Sequence, residues 1–350
     1  MPPPQDSSAD LRPDVRPEHW ALLAATRFVL ASVVVAGHSR FALTDAAASA
    51  ASSTAMALGG GVAVIGFLVI SGFSIAHSVQ QPHGFYARRF ARIWPTLLLS
   101  VALFAGLIWT FHRPGRPDPS LLEVVGVLAF LNGLVFANWY GPTWSLSIEA
   151  LFYGVAPLLR RLPVTVLAGL VAGSAIAHWQ ASAWLGVASY PDALHGRAPL
   201  GLFWAWGLGF LVFRERRKAV AGPLWGLVLW LGGGLLIWRF NPEGGALWPA
   251  TWTLAALAVG FGGAVRFSSD GLRRGLNYLG DLSYPMFLLH MPIFFLMGRL
   301  GLRQGLVGAI AVLAASALCL HLVDRPLRAH VALALERAGA RLRRRLWVKA

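Results

Sequence analysis

The first apolar segment of the chain, LLAATRFVLASVVVAGH, contains two cationic side chains, Arg27 and His38, placed eleven residues apart. Eleven steps of an α-helix return to within about 20° of the starting direction and advance about 16 Å, so both side chains share one helix face. Apart from Ser32, the residues between them are apolar. An ionisable side chain at membrane depth costs about 2.5–3.5 kcal/mol, so such residues usually face a protein interior or a wet cavity. The pair predicts a site that extends across much of a bilayer.

His38 is a candidate general base because imidazole is the side chain best suited to accept a proton near neutral pH. In that role it would take a proton from an attacking hydroxyl group. The alternative is an interfacial histidine that only caps the end of a helix. A lone histidine would favour capping, and the presence of Arg27 on the same face leaves the two interpretations evenly balanced.

Three arginines, Arg88, Arg89 and Arg92, recur at helical spacing in the segment HGFYARRFARIWP, and we expect Pro95 to open the next helix. One interpretation is a stop-transfer cluster that sets the orientation of the chain and contacts anionic lipid headgroups. The other is a cytoplasmic phosphate clamp, because the guanidinium fork binds two phosphate oxygens at once. When the cluster is considered by itself, its role in setting the orientation of the chain in the membrane is enough to explain it.

The segment PTWSLSIEALFY places Ser145, Glu149 and Tyr153 at successive i+4 positions, and therefore on one face of a predicted helix. A carboxylate at this depth needs a partner from another helix or must be protonated. Glu149 could orient a catalytic imidazole, or it could pair with a buried arginine for structural reasons only.

Two further motifs place polar residues inside apolar runs. In VISGFSIAHS, the dipeptide Ser71-Gly72 favours close helix packing over a site role, because small residues let membrane helices approach each other. In GDLSYPMFLLHMPIF, His290 is either a hydrogen-bonded core histidine or a contact to the substrate or donor. The histidines lack the spacing of a metal site such as HExxH, and we predict no bound metal.

The composition is that of a polytopic membrane protein. The chain has 350 residues, of which 56% are hydrophobic and 13% charged, with a mean hydropathy of +0.59. A soluble domain needs about twice this charged fraction to cover its surface. The net charge of +15 comes from basic residues clustered between the apolar segments and in the tail RLRRRLWVK. This pattern indicates membrane orientation, not nucleic-acid binding.

The apolar segments predict an all-α fold of about ten transmembrane helices in one bundle. Eleven candidate segments lie at about 21–39, 58–79, 93–111, 121–137, 145–159, 164–184, 199–213, 221–239, 246–265, 281–298 and 304–322. If 121–137 is re-entrant or interfacial, all five basic clusters fall on the cytoplasmic side, with both termini. We predict a disordered leader at 1–19, a multi-pass domain at 20–328 and a basic tail at 329–350.

Taken together and in order, the motifs resemble those of the acyltransferase-3 family of multi-pass membrane O-acyltransferases. The matching pieces are Arg27 with His38, FLVISGF at 67–73, FYARRFARIWP at 85–95, WSLSIEALFYGVAPLL at 144–159, LGDLSYPMFLLHMPI at 279–293 and DRPLR at 324–328. The resemblance covers nearly the whole chain. The chain departs from the family pattern in AVIGFLVI, where an acidic residue and two phenylalanines are common, and at Asp324, where glutamate is usual.

The resemblance implies an enzyme of a bacterial-type inner membrane that moves an acyl group, acetyl as the first choice, from acyl-CoA to a hydroxyl. The acceptor expected from it is a cell-envelope or exported carbohydrate, and acyl-CoA is a co-substrate, with no permanently bound cofactor. It implies that His38, Glu149 and Arg27 act at the catalytic centre. Residues implied to contact the donor are Arg88, Arg89, Arg92, Ser71, Trp144, Ser145, Tyr284 and His290.

Two questions stay open at the level of the sequence. A transporter or flippase for an anionic lipid-linked glycan would also explain buried arginine, glutamate and histidine residues. Transporters often contain inverted repeats, and none is evident in this chain. No serine or cysteine is well placed as a nucleophile, so we expect direct acyl transfer without an acyl-enzyme.

Overall fold

The computed structural model describes residues 15–81, 84–113, 115–180, 198–239 and 250–347, and all of the regular structure in them is helical. The predicted all-α fold is therefore confirmed. The first seven helices are α1 (Pro17–Ser39), α2 (Ala46–Ala57), α3 (Val62–Ser78), α4 (Phe85–Phe111), α5 (Leu121–Leu128), α6 (Thr143–Leu159) and α7 (Val164–Trp179). The others are α8 (Ala198–Glu215), α9 (Ala221–Leu227), α10 (Gly233–Arg239), α11 (Ala250–Phe261), α12 (Asp270–Arg299), α13 (Gly305–Cys319) and α14 (Arg325–Trp347).

The described helices include five stretches long and apolar enough to cross a membrane. They are Pro17–Ser39, Phe85–Phe111, Ala221–Trp238, Asp270–Arg299 and Gly305–Leu335. A sixth is formed if α2 and α3, which are bent by 59° at their junction, act as one span. The chain is a multi-pass membrane protein, and the expectation of about ten crossings stays a prediction.

The predicted leader and tail overlap helices at both ends. Residues 17–19 of the predicted leader 1–19 belong to α1, while residues 1–14 lie outside the described part of the chain. Pro17 suits the first turn of α1, where its missing N–H is no loss. At the other end, a π-helical turn at Leu320–Asp324 joins α13 to α14, which continues through the predicted tail to Trp347.

Three long helices, α1, α4 and α12, run parallel. Gly280 on α12 packs closely against Ala24 on α1, where a Cβ on the glycine would lie only 2.4 Å from the alanine Cβ. Further along the same pair, His290 contacts His38. Between α12 and α4, the hydroxyl of Tyr284 donates to the carbonyl of Ile93 at 2.8 Å. We call the end of the bundle at the start of α4 the arginine end, and the opposite end, with His38 and His290, the histidine end.

The helices α3 and α8 cross at two glycines. A Cβ on Gly72 would lie 1.9 Å from the carbonyl oxygen of Trp206, and a Cβ on Gly209 would lie 2.0 Å from that of Val69. The crossing is surrounded by fully buried aromatic side chains, including Trp204, Trp206, Phe73, Phe210 and Phe213. Close approach of the two backbones therefore explains Gly72, as the packing interpretation predicted.

The prediction that Pro95 opens a helix is wrong, because α4 begins ten residues earlier at Phe85 and contains Pro95 in its interior. Gly84, with a φ of 67°, precedes the first turn. Proline is tolerated in buried membrane helices, where neighbouring groups replace the missing backbone hydrogen bond. As a consequence, the three arginines lie in the first turns of α4 and not in a loop before it.

The segment 121–137 does not cross as one helix. Its helix α5 has eight residues, about 12 Å of length against a hydrocarbon thickness of about 30 Å. A capping box starts it: the Ser120 hydroxyl accepts from the Glu123 N–H, and the Glu123 carboxylate accepts from the Ser120 N–H. The backbone N–H and the hydroxyl of Ser120 both donate to the Glu123 carboxylate, and these two hydrogen bonds lower the pKa of Glu123. A compact turn follows, closed by hydrogen bonds from the Asn132 amide to Asn138 and Thr143.

Candidate functional site

A cavity of about 430 Å³ opens at the arginine end, between α1, α3, α4, α6 and α12. Eight of the sequence-predicted site residues line it: Arg27, Ser71, Arg88, Arg89, Arg92, Ser145, Glu149 and Tyr284. These residues come from five helices and extend from residue 27 to residue 284 of the sequence. The structure therefore brings together most of the residues selected from motifs.

The cavity wall is strongly basic. Arg27 from α1 donates to the hydroxyl of Ser74 at 2.6 Å, and Arg89 from α4 donates to the hydroxyl of Ser78 at 2.9 Å. Both serines lie on α3, one helical turn apart, so this face of α3 orients two guanidinium groups. Among the described residues that line the cavity, four are arginines and one, Glu149, is a carboxylate.

Glu149 is paired within its own helix. Its carboxylate accepts a hydrogen bond from the hydroxyl of Tyr153 at 2.5 Å, one turn further along α6. Tyr153 is thus a partner from the same helix, and the charges of Arg27 on α1 and Arg89 on α4 also act on Glu149. The i+4 spacing puts the phenol directly over the carboxylate. Tyr153 also accepts from the hydroxyl of Ser71 at 3.5 Å and lines the cavity. Motif reasoning noted this spacing but did not select Tyr153 as a site residue.

His38 does not line this cavity and lies instead at the histidine end, in contact with His290. The Nδ1 of His38 and the Nε2 of His290 are 2.9 Å apart, and the ring planes are within 8° of parallel. Stacked rings would be separated by about 3.5 Å or more, so the two imidazoles meet edge to edge. The other ring nitrogen of His290, Nδ1, lies 3.3 Å from the carbonyl oxygen of Met286. His290 is fully buried, whereas His38 is half-buried.

Two phenylalanines lie between the cavity and the histidine pair. Phe67 on α3 and Phe287 on α12 both line the cavity, and their ring centroids are 5.8 Å apart. The ring of Phe287 is also 6.3 Å from that of His290. Phe287 is therefore the side chain that links the basic cavity to the histidine end.

Trp144 and His290 are the two predicted donor contacts that the structure does not place on the cavity wall. Trp144 packs beside Gly133, where a Cβ on the glycine would lie 2.8 Å from the Cβ of the tryptophan. His290 faces His38. Within the described ranges, no group of three or more histidine, cysteine, aspartate or glutamate side chains could hold a metal ion.

Asp324 has polar partners that could not be predicted from its position at the end of an apolar run. It is fully buried, forms an ion pair with Arg328 and accepts a hydrogen bond from Thr96 at 3.2 Å. These contacts hold the π-helical turn after α13 against α4.

Fold and site together define a multi-pass helical membrane protein with a basic cavity at one end and a histidine pair towards the other. A model of the acyltransferase-3 family, described as an acyltransferase domain, matches residues 22–323. The chain belongs to the acyltransferase-3 family, and the resemblance noted in the motifs is confirmed.

Two relatives support this assignment. The chain is 33% identical to the acyltransferase MdmB of Streptomyces mycarofaciens over 131 residues, which are 34% of each protein. It is 28% identical over 267 residues to BcsY of Komagataeibacter xylinus, named as a candidate membrane-bound transacylase. The second match covers 67% of this chain and 66% of BcsY. The chain thus spans about a third of the length of MdmB and about two thirds of the length of BcsY. No solved structure gives a significant match.

Proposed function

We propose that this protein is a membrane O-acyltransferase that moves an acyl group, acetyl as the first choice, from acyl-CoA to a hydroxyl of a cell-envelope or exported carbohydrate. The observation that carries the proposal is a cavity lined by four arginines and one carboxylate, linked through Phe287 to the His38–His290 pair. The family and the names of both relatives are those of acyl-transferring enzymes.

The basic cavity fits the phosphate-rich end of CoA. Several cations held close together in a low-dielectric site repel each other, and an anion that pairs with them removes this cost. Arginine forks bind phosphate oxygens two at a time. In the proposed complex, Arg27, Arg89 and Arg92 contact the phosphates. Glu149, held by Tyr153, balances part of the charge.

The separation of the arginines and His38 fits the extended shape of an acyl-CoA. Arg27 and His38 lie eleven residues apart on α1, about 16 Å along the helix axis. CoA joins its phosphates to its sulfur by a long flexible arm. With the phosphates at the arginines, the arm passes Phe67 and Phe287, and the thioester reaches His38.

In the proposed reaction, His38 accepts the proton of the acceptor hydroxyl as the oxygen attacks the thioester carbonyl. The carbon–sulfur bond breaks, and the imidazolium returns its proton to the CoA sulfur, so the products are an ester and free CoA. Transfer is direct in this proposal, because four of the five serines that line the cavity already donate their hydroxyl protons, Ser71 among them to Tyr153. The hydroxyls of Ser74, Ser145 and Ser283 each donate to a backbone carbonyl of their own chain segment.

The arginine end faces the cytoplasm in this proposal, because acyl-CoA is made there, and the histidine end faces the outside. Ten crossings with both termini in the cytoplasm of a bacterial inner membrane give this arrangement. The parallel course of α1, α4 and α12 is compatible with it, since the ten-crossing topology assigns all three the same direction.

The test uses purified full-length protein in lipid nanodiscs with acetyl-labelled acetyl-CoA and the envelope carbohydrate fraction of a deletion strain. The expected result is label in the carbohydrate with one free CoA released per ester. His38→Ala should lower this rate by about 10²–10⁴-fold, the usual contribution of a general base. His330→Ala, an exposed histidine on α14, is the matched control. Carbohydrate movement into sealed proteoliposomes without CoA release would support a flippase instead, and wild-type transfer by His38→Ala would refute the mechanism.

A further inference from the structure

The hydrogen bonds around His290 determine which nitrogen of His38 carries a proton. A backbone carbonyl can only accept a hydrogen bond, so the contact to Met286 requires the proton of neutral His290 to be on Nδ1. The Nε2 of His290 then has a lone pair and acts as an acceptor. The nitrogen that faces it at 2.9 Å, Nδ1 of His38, must be the donor.

The consequence is a defined tautomer of His38. With the proton on Nδ1, the unprotonated nitrogen of His38 is Nε2, the one that can accept a proton. Within the described parts of the chain, the structure gives this Nε2 no hydrogen-bond partner from the protein. The ring is further held by Phe41, whose centroid lies 5.8 Å from that of His38.

We propose that His290 is a positioning residue that holds His38 in the Nδ1–H tautomer and orients its Nε2 towards the acceptor hydroxyl. This inference rests on the proposed role of His38 as the base. It assigns His290 a different task from donor binding, because His290 is fully buried and does not line the basic cavity.

A neutral histidine is suited to this position. A carboxylate at the same place would bury a charge at membrane depth, which is costly when His38 is neutral. A second proton would make the fully buried His290 a cation at membrane depth, which is costly, so the proton taken up by Nε2 stays on the half-buried His38. It is then available for the sulfur of the departing CoA.

The first measurement compares steady-state kinetics of two variants at His290. His290→Leu removes Nε2, the hydrogen-bond acceptor for His38, and puts an apolar side chain of similar size in the buried position. We expect kcat to fall by about 10²-fold or more, with the KM for acetyl-CoA within twofold of wild type, because tautomer control acts on the chemical step. His290→Gln supplies an amide oxygen in place of Nε2. Its kcat should be at least tenfold higher than that of His290→Leu.

His178→Leu is the matched control. His178 is also a buried histidine that hydrogen-bonds a backbone carbonyl, that of Gly201 at 3.1 Å, and it lies on α7, away from the cavity. Its loss should leave kcat unchanged. Thermal unfolding of each variant verifies that the compared proteins are folded.

The second measurement reads the tautomer directly and needs no activity. In protein labelled with ¹³C and ¹⁵N histidine, ring shifts distinguish Nδ1–H from Nε2–H, and a His38→Ala spectrum identifies the signals of His38. We expect Nδ1–H in the wild type and loss of this preference in His290→Leu. An Nε2–H tautomer in the wild type would overturn the inference.

The kinetic outcomes separate this inference from the proposed function. Wild-type kcat in His290→Leu, with an inactive His38→Ala, would overturn the inference and leave the base intact. A loss without recovery in His290→Gln, or a loss that appears in KM, would also overturn it in favour of packing or donor binding. An active His38→Ala would refute the proposed mechanism, whereas the tautomer would still be read by the spectra.

Discussion

At the scale of single residues, the positive charges that line the basic cavity outnumber the negative ones. Four arginines face one carboxylate there, and Glu149 is hydrogen-bonded to the hydroxyl of Tyr153. In the described part of the chain, Arg27 and Arg89 donate to serine hydroxyls, and Arg88 donates to the carbonyl of Gln81. Neutral hydroxyl and carbonyl acceptors orient cations without neutralising them, so a proposed anionic donor would pair with this charge. This is the feature of the site that the proposed donor uses.

Arg92→Gln should therefore weaken donor binding more than it slows chemistry. A hydrogen bond to a charged group is worth about 1.5–3 kcal/mol, which corresponds to a rise of about 10- to 100-fold in the KM for acetyl-CoA. Arg161→Gln is the matched control, because Arg161 is an exposed arginine beyond the end of α6. Steady-state kinetics and isothermal titration with CoA measure the effect. Equal KM values for the two variants would contradict a phosphate site at Arg92.

At the scale of single elements, one face of α3 lines the cavity and another packs against α8. Ser71, Ser74 and Ser78 follow each other at intervals of three and four residues and face the cavity. Gly72, next to Ser71, lies on the face that meets α8. Neighbouring residues of one dipeptide thus have different tasks, because successive residues of a helix point about 100° apart.

Substitution of the crossing glycines should destabilise the protein. In Gly72→Ala or Gly209→Ala, the added methyl group meets a backbone carbonyl at about 2 Å, so the two helices must separate. Overpacking of this kind costs about 1–3 kcal/mol. Gly169→Ala on α7, where a Cβ would have no neighbour within 4 Å, should leave stability unchanged or raise it. Thermal unfolding in detergent measures all three, and equal stability would show that the helices are not in close contact.

At the scale of the whole molecule, the parallel helices α1, α4 and α12 hold two groups of polar side chains at different positions along the bundle. All of the cavity arginines lie at one end, and the histidine pair lies towards the other. A donor and an acceptor could thus approach from opposite sides of the membrane. Phe67 and Phe287 stand between the two approaches. With the proposed donor bound, we expect these rings to limit the entry of water, which would hydrolyse its thioester.

Cysteine labelling tests this arrangement. In a Cys319→Ala background, Arg116→Cys lies after α4 at the histidine end, and Ala219→Cys lies after α8; both positions are exposed. Because α8 runs parallel to α3, the second position is at the arginine end. A membrane-impermeant maleimide applied to intact spheroplasts should label the first cysteine and not the second. Labelling of both from the same side would refute the proposed topology.

Helical periodicity and composition are local properties, and they were enough to predict several features of this protein. They gave the all-α membrane fold, the common face of Arg27 and His38, and the alignment of Glu149 with Tyr153. The order of the motifs was enough to place the chain in its family. The start of α4 was predicted wrongly because the helix-breaking tendency of Pro95, which is also local, is overcome by packing in the bundle.

Only the tertiary structure decided which partner each polar group has. His38 meets His290 across 252 residues of sequence, while Glu149 accepts a hydrogen bond from Tyr153 of its own helix. It also decided that the arginines and His38 occupy separate places joined at Phe287. The physical reason is that contacts between helices depend on the register and crossing of whole helices. These are set by close packing at positions such as Gly280 and Gly72, and no local pattern encodes them.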